Sequence, residues 1–331
     1  MKNKINLGII GKNFGYNVIY KSFLKNKKFK ILGFSFKSKG KKGLQIPKSI
    51  KIYPNWKKLV LDKKINAIAI STPPLLNKRI IKFAIKHNKH IFCEKPFTCS
   101  IKEANYVCKL LNKKNISHMV NYEFPEIDAF RFFKKKVLKK NFRINKIDLD
   151  WIVNARKKSK INWKEDFKSG GGIIFNYACH AIYYLEFLFG KIASTKSNIS
   201  LGKQDNLNSV FYFKSGLSAN LKVKSISKNM DIRPKHQLRI IENKNVYFLK
   251  TKINNLSDQF EVVKNGNYLF KNKDSNKDFR IKPTFKNSKK FSYWILKKKI
   301  QKPNFFDGQR IHLIINKMLL SSIKKKKIYI S

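Results

Sequence analysis

The run Gly8-Ile9-Ile10-Gly11-Lys12-Asn13-Phe14-Gly15 stands between an apolar β-rich segment and a helical one. Such a turn leaves backbone N–H groups at a helix start, where the helix dipole adds positive potential; the combination suits a dinucleotide's pyrophosphate. Gly11, Asn13, Phe14 and Gly15 are therefore the candidate phosphate contacts. Asn13 occupies the place where a second glycine would admit a close phosphate, although Asn tolerates left-handed φ better than most residues. A strand–Gly–helix turn also serves plain tight packing, so the loop alone does not define a site. The second β-rich run ends Gly33-Phe34-Ser35-Phe36-Lys37-Ser38-Lys39, with no acid to accept from an adenosine ribose. Lys37, Ser38 and Lys39 can instead meet a 2′-phosphate, so this segment admits NADP or NAD and leans toward NADP, with Ser35 and Lys37 as its candidate cofactor contacts. His180 follows Asn176 by four residues in an apolar helical stretch, which puts both on one helix face. Imidazole titrates near working pH and suits general acid–base chemistry, yet a helical His also serves as a satisfied packing residue.

These residues need elements to hold them. From Ile5 to Tyr122 short β-rich runs alternate with helical patterns, as in a parallel sheet with helices on both faces. Strands are expected near 5–10, 29–35, 66–71, 90–93 and 117–121, with helices over 15–26, 54–63, 76–87 and 101–113. Pro54 suits a first helical turn, Asn88 a left-handed helix end, and Ser100-Ile101-Lys102-Glu103 a reciprocal capping box. After Tyr122, longer polar spacers separate β-rich runs at 144–154, 208–214, 218–226, 237–242, 246–250 and 259–264, which read as one larger sheet. Gly170–Gly172 leads into an apolar helical stretch, 173–188, and an amphipathic one follows at about 307–322.

With 331 residues and 42% hydrophobic content, the chain has length and apolar surface for two cores. The 74 Lys and Arg against 19 Asp and Glu give a net charge of +55. Lys dominates and is scattered through every segment, whereas nucleic-acid readers favour Arg for bidentate contacts. The charge is read as compositional drift that attracts polyanions nonspecifically, with no specific nucleic-acid partner. Cys93, Cys99, Cys108 and Cys179 form no C-x-x-C pair and meet no His cluster, so neither a disulfide framework nor a metal site is expected. The apolar run Ile5–Ile10 is too short for a signal segment, and no stretch approaches membrane-spanning length. The Lys324–Lys327 run is read as a solvated terminus. A soluble, cytoplasmic protein without membrane contact is expected.

Three further motifs carry more specificity: Ser71-Thr72-Pro73-Pro74, Cys93-Glu94-Lys95-Pro96, and Gly170-Gly171-Gly172-Ile173-Ile174-Phe175-Asn176-Tyr177-Ala178-Cys179-His180. In this order and spacing, with Phe306-Asp307-Gly308-Gln309-Arg310 opening the final helix, they resemble the glucose–fructose oxidoreductase / inositol dehydrogenase / rhizopine catabolism (Gfo/Idh/MocA) family over nearly the whole chain. The resemblance implies an α/β protein: an N-terminal Rossmann domain with a doubly wound parallel sheet (1–122), then a C-terminal α/β domain with a large open, mostly antiparallel sheet (123–331). The second domain would bind substrate and assemble a homodimer or homotetramer. Sugars, inositols and related polyols are the implied substrates.

By position, the resemblance assigns the catalytic roles to Lys95, His180 and Asn176. Thr72, Pro73, Glu94 and Lys95 join the loop residues as cofactor contacts, with Glu94 read as a structural acceptor rather than a catalytic acid. Asn121, Trp163, Lys164, Asn176 and His180 are the implied substrate contacts. The chemistry is consistent: hydride leaves carbon only as its hydroxyl proton is lost, so His180 suits the base and Lys95 a developing alkoxide. This chain departs from the family pattern at several points. Asn176 replaces the usual Asp and cannot offer negative charge to an imidazolium. Tyr183 stands for another Asp, Ala178 for a glycine and Asn77 for a His. The expected activity is NAD(P)-dependent hydride transfer to or from a sugar, polyol or sugar derivative; the competing reading is a non-catalytic dinucleotide- or sugar-sensing regulatory protein of the same fold.

Overall fold

In a computed structural model, residues 4–36, 44–112, 114–138, 143–154, 163–202, 205–226, 234–252, 255–271 and 278–330 are described. The chain divides into two compact units, Met1–Glu123 with Lys168–Gly170 and Arg280–Arg310, and Phe124–Phe167 with Gly171–Phe279 and Ile311–Ser331.

The first unit is built on six parallel strands: β1 (Ile5–Ile10), β2 (Phe29–Ser35), β3 (Lys51–Tyr53), β4 (Ala67–Ile70), β5 (His90–Cys93) and β6 (His118–Val120). Their order is β3-β2-β1-β4-β5-β6. This is the doubly wound arrangement, in which the chain reverses direction across the sheet between β1 and β4 and opens a crevice at the strands' carboxyl ends. Gly15–Tyr20 and α1 (Lys21–Leu24), α2 (Trp56–Leu61), α3 (Pro74–Lys86) and α4 (Ile101–Leu111) connect the strands. Strand β4 is apolar on both faces, and β1 is too except at the half-buried Asn6, as a sheet covered by helices requires.

Local signals explain most of these boundaries. Asn55 caps α2, its side chain accepting from Lys58 N–H, so Pro54 stands before the cap rather than inside the first turn. Asn88 has φ 50°, the left-handed helix end expected of it. Ser100 Oγ accepts from Glu103 N–H as a capping box requires, but Glu103 Oε2 accepts from Cys99 N–H instead of the cap's own. Strand β3 was not anticipated; three residues are too few for a period-2 signal. Also unanticipated is α7 (Ile281–Lys297), whose Phe291 and Ile295 join the core around Leu7, Phe23, Phe34 and Phe92. Its Pro283 falls in the first turn, where no intrahelical N–H bond is lost. The Arg280–Arg310 segment thus belongs to the first unit, although the sequence reading put it in the second domain.

The described residues of the second unit form nine strands. They are β7 (Lys146–Asn154), β8 (Ile192–Ser200), β9 (Asn206–Phe213), β10 (Ser218–Ile226), β11 (Lys235–Glu242), β12 (Asn245–Lys252), β13 (Asn255–Lys264), β14 (Asn267–Phe270) and β15 (Ile328–Tyr329). Their order is β14-β13-β12-β11-β7-β10-β9-β8-β15; among the described strands of this sheet, only β7 and β10 pair in parallel. Residues alternate along them: Ile147, Leu149, Ala219, Leu221 and Val223 are buried, while Asp148, Asn220 and Lys222 face the other way. The buried face meets α5 (Asp128–Phe132) and α6 (Cys179–Phe189). Helix α8 (Phe305–Lys324) spans the expected final amphipathic stretch. None of the four cysteines forms a disulfide, and no described helix is long and apolar enough to cross a membrane.

Candidate active site

The candidate residues fall into two groups, one per unit. In the first unit, Gly11 leaves β1 with φ 119°, a conformation that L side chains rarely adopt. A Cβ there would lie 2.4 Å from Ser71 Oγ and 2.6 Å from Ser71 O. Gly11 N–H donates to Ser35 O at 2.9 Å, and Ser71 N–H to Ile10 O at 2.8 Å. The ends of β1, β2 and β4 are therefore fastened together where the strand order reverses. The helical turn begins with Tyr16 N–H donating to Lys12 O, so Asn13, Phe14 and Gly15 precede that first bond. Asn13 is exposed and its φ is not positive, so the left-handed tolerance credited to it is unused. The turn fits a dinucleotide pyrophosphate: a positive-φ glycine in close backbone contact, and N–H groups at a helix start in the crevice. Ser35 is buried; Lys37 lies outside the described residues.

Thr72 and Pro73 follow β4. Thr72 Oγ1 donates to Asn77 Oδ1 at 2.6 Å, and Asn77 Nδ2 donates to Pro96 O at 3.3 Å. Asn77, buried on α3, therefore links the Thr72–Pro73 turn to the Lys95–Pro96 turn after β5. Lys95 is half-buried between Glu94 and Pro96. Glu94 is buried, and its Oε1 accepts from Asn121 Nδ2 at 2.6 Å. Asn121 Nδ2 also donates to Thr284 Oγ1 at 3.0 Å, and Asn287 Nδ2 to Asn121 Oδ1 at 3.0 Å. Burial pushes the Glu94 carboxyl up to about 8, and the nearby Glu123 carboxylate adds to the rise; the Asn121 hydrogen bond, Lys95 and Arg280 oppose it. The Arg280 guanidinium lies 5.1 Å from the centre of the Phe14 ring.

In the second unit, the turn before α6 is held by one carbonyl. Lys164 O accepts from Gly172 N–H at 2.9 Å and from Asn176 Nδ2 at 2.6 Å. A Cβ on Gly171 would lie 2.2 Å from Trp163 O, so the backbones touch and only glycine fits. Trp163, Lys164 and Asn176 are thereby brought together, the Lys164 ammonium lying 5.9 Å from the Trp163 ring centre. His180 is buried one turn after Asn176, its ring 4.8 Å from Phe124 and 6.4 Å from Trp151. Trp151 stacks on His236 at 3.7 Å, and Tyr184 OH pairs with His236 Nε2 at 2.8 Å. Burial holds His236 at about 3, neutral at working pH. A concavity of about 680 Å³ lies on the polar sheet face, lined by Lys146, Asp148, Asp150, Lys222 and Arg239 among others. It includes none of the candidate residues, and its paired charges, such as Arg239 with Asp148 at 3.8 Å, do not resemble a reaction centre.

Arg280, Thr284 and Asn287 were missed by sequence reasoning. A signal existed: Thr284, Asn287 and Ser288 interrupt the apolar face that carries Phe291, Trp294 and Ile295, and buried polar residues need partners.

A doubly wound parallel sheet with the Gly11 turn at its reversal point defines a dinucleotide-binding architecture. Residues 5–122 match the Gfo/Idh/MocA oxidoreductase family's NAD-binding Rossmann fold, and residues 137–255 match its C-terminal α/β domain. The chain belongs to the Gfo/Idh/MocA family. An uncharacterized oxidoreductase from Synechocystis is 28% identical over 152 residues, 45% of this chain and 41% of that protein. Levoglucosan dehydrogenase from Pseudarthrobacter phenanthrenivorans is 27% identical over 153 residues, 44% of this chain and 38% of the relative. The matches thus span less than half the length of these curated relatives. Among solved structures, levoglucosan dehydrogenase in complex with NADH superposes with a TM-score of 0.82 over 99% of both chains at 16% identity. An oxidoreductase from Thermotoga maritima gives 0.81 over 99% and 98% at 17% identity. At such identity the likeness is one of fold.

Proposed function

We propose that this chain is an NAD(P)-dependent oxidoreductase that passes hydride between nicotinamide C4 and a CH–OH carbon of a sugar, polyol or sugar derivative. The observation that carries the reading is the first unit's strand order, with the Gly11 turn and Ser71 at the reversal and Lys95 in the turn after the neighbouring β5. When bound, the cofactor supplies the hydride acceptor or donor. The Lys95 ammonium steadies the alkoxide that develops as hydride leaves. An imidazole nitrogen of His180 takes or returns the hydroxyl proton. Asn176, with Nδ2 committed to Lys164 O, offers its carboxamide oxygen to a substrate hydroxyl. Asn121, Trp163 and Lys164 complete the substrate contacts; Gly11, Asn13, Phe14, Gly15, Ser35, Lys37, Thr72, Pro73 and Glu94 hold the cofactor with Lys95. The sugar-like class is supported by the relative named levoglucosan dehydrogenase.

The missing acid after Phe36, together with Lys37, supports NADP over NAD. The alternating polar face of the nine-stranded sheet supports assembly of two or four copies through the second unit. The absence of any disulfide supports work in the cytoplasm. One observation favours a second reading, a binding-only member: the Asn176 carboxamide carries no charge with which to hold an imidazolium.

The test is titration of NADPH and NADH into the purified protein at physiological salt, then nicotinamide absorbance with sugars, sugar acids and nucleotide sugars. Saturable binding with turnover supports the enzyme. Binding without turnover across the panel supports the sensor, and binding of neither cofactor overturns both.

A further inference from the structure

Helix α7 returns from late in the sequence to the first unit, and its opening turn is tied to elements on both sides of the strand reversal. On the β1 side, Ser22 Oγ of α1 donates to Ile281 O at 3.0 Å. On the other, Asn121 Nδ2 after β6 donates to Thr284 Oγ1 at 3.0 Å. Arg280, the residue that opens this turn, is half-buried, and its guanidinium lies over the Phe14 ring, 5.1 Å from the ring centre. Phe14 belongs to the turn after β1, ahead of the first helical bond from Tyr16 N–H to Lys12 O. A side-chain cation thus stands at the dinucleotide turn, although α7 lies beyond both segments that match the family.

Resting on the dinucleotide reading, we propose that the Arg280 guanidinium holds the cofactor's diphosphate against the Gly11–Gly15 turn, with the Phe14 ring as its platform. Each phosphate carries a negative charge, and the turn itself offers backbone N–H groups at a helix start. Asn13 stands where a second glycine would let the phosphate come closest, so a side chain reaching in from another element makes up the lost contact. Stacking engages the face of a guanidinium and not its in-plane N–H donors. Arg280 can therefore grip phosphate oxygens bidentately while staying on the ring, where a lysine would offer only a point charge. Its charge also opposes the rise of the Glu94 carboxyl, so the group acts between the ends of β1 and β5. The diphosphate is common to NADP and NAD, which makes Arg280 a residue of affinity and leaves the choice of cofactor to the end of β2.

Calorimetric titration of the full chain at physiological salt tests this with NADPH, NADH and ADP-ribose, the last of which keeps the diphosphate and lacks the nicotinamide. Arg280→Gln should weaken all three by about ten- to hundredfold and leave the NADPH-to-NADH ratio as it was. Arg280→Lys keeps the charge without the fork and should weaken them by about three- to tenfold. Lys289→Gln removes an exposed charge from the same helix and should change affinity by less than about twofold. Circular dichroism melting checks the fold of each variant, and where Arg280→Gln melts early, Arg280→Lys carries the test. Native affinity for ADP-ribose in folded Arg280→Lys overturns the proposal. So does a loss confined to NADPH and NADH, which would move Arg280 to the nicotinamide end, or an equal loss in Lys289→Gln, which would make the effect one of bulk charge. Failure of the native chain to bind any of the three overturns the dinucleotide reading and this proposal with it.

Discussion

Glu94 Oε1 accepts a 2.6 Å hydrogen bond from Asn121 Nδ2, fastening the end of β5 to the end of β6. Burial at this position makes Glu94 a stability switch, although the bond itself opposes the shift. Its carboxyl rises from 4.5 unfolded to about 8 folded, chiefly through burial. A raised value means that the folded state binds the proton more tightly. Stability is therefore complete below about 4.5 and is lost as pH climbs through 8. Glu94→Gln keeps the acceptor and removes the titration, so its unfolding free energy should flatten by about 1 kcal/mol per pH unit between pH 5 and 8. Urea melts across that range check it, and parallel profiles for the two proteins would contradict it.

Of the described glycines, Gly171 leaves the least room for an added Cβ. An added Cβ meets Trp163 O at 2.2 Å and the Lys164 carbonyl carbon at 2.6 Å, and backbone cannot move aside as a flexible side chain can. Gly171→Ala should cost about 1–3 kcal/mol and loosen the Lys164 carbonyl that anchors Asn176. Gly202, where an added methyl would meet nothing within 4 Å, is the control; its alanine variant should stay within about 0.5 kcal/mol of the parent. Equal melting points for the two variants would show that the Trp163–Lys164 turn relaxes freely.

The strand ends of the first unit were legible because a covered parallel sheet concentrates apolar residues in short runs, as in Ala67–Ile70. Glu94, Lys95, Asn176 and His180 were legible through motif spacing. The Asn121–Thr284–Asn287 network was not, because it joins residues more than 160 positions apart, and sequence distance carries no sign of such contact. Helix α7 was hidden by its Pro283, which reads as a breaker yet sits harmlessly in the first turn. The use of the Asn176 amide on Lys164 O was equally hidden, since a polar residue beside a catalytic type reads first as substrate-facing.

Lys95 and His180 should separate in kinetics. In the proposed hydride transfer, Lys95→Ala removes the charge assigned to the developing alkoxide and should lower kcat by about 10²–10³. Saturable quenching by reduced cofactor would show that the loss is chemical. His180→Ala should cost about 10²–10⁴ and remove a pH-dependent limb from the kcat profile. An unchanged profile would assign the proton to another group. Asn176→Asp would exchange the donor to Lys164 O for a carboxylate, costing about 1 kcal/mol of stability; a raised kcat despite that loss would show that the absent charge limits the native protein.

Lys37 tests cofactor choice. Aspartate there would accept from a ribose 2′-hydroxyl and repel a 2′-phosphate, so Lys37→Asp should shift the NADPH-to-NADH affinity ratio toward NADH by about tenfold or more. An unchanged ratio would remove Lys37 from the argument for NADP.

Acid sensitivity follows from the buried imidazoles. Burial holds His118, His236 and His312 at about 3 in the folded chain, against about 6.5 when unfolded. The unfolded state thus binds more protons between those values, so stability is complete above pH 6.5 and falls as pH drops toward 3. Each imidazole steepens the fall by about 1.4 kcal/mol per pH unit. His236→Gln removes one of them and also the stack on Trp151 at 3.7 Å, so the variant should be weaker at pH 8. Between pH 8 and pH 5, however, it should lose about 2 kcal/mol less than the native chain. Equal losses in paired urea melts would mean that His236 takes up its proton without unfolding, through water reaching the ring beside Tyr184.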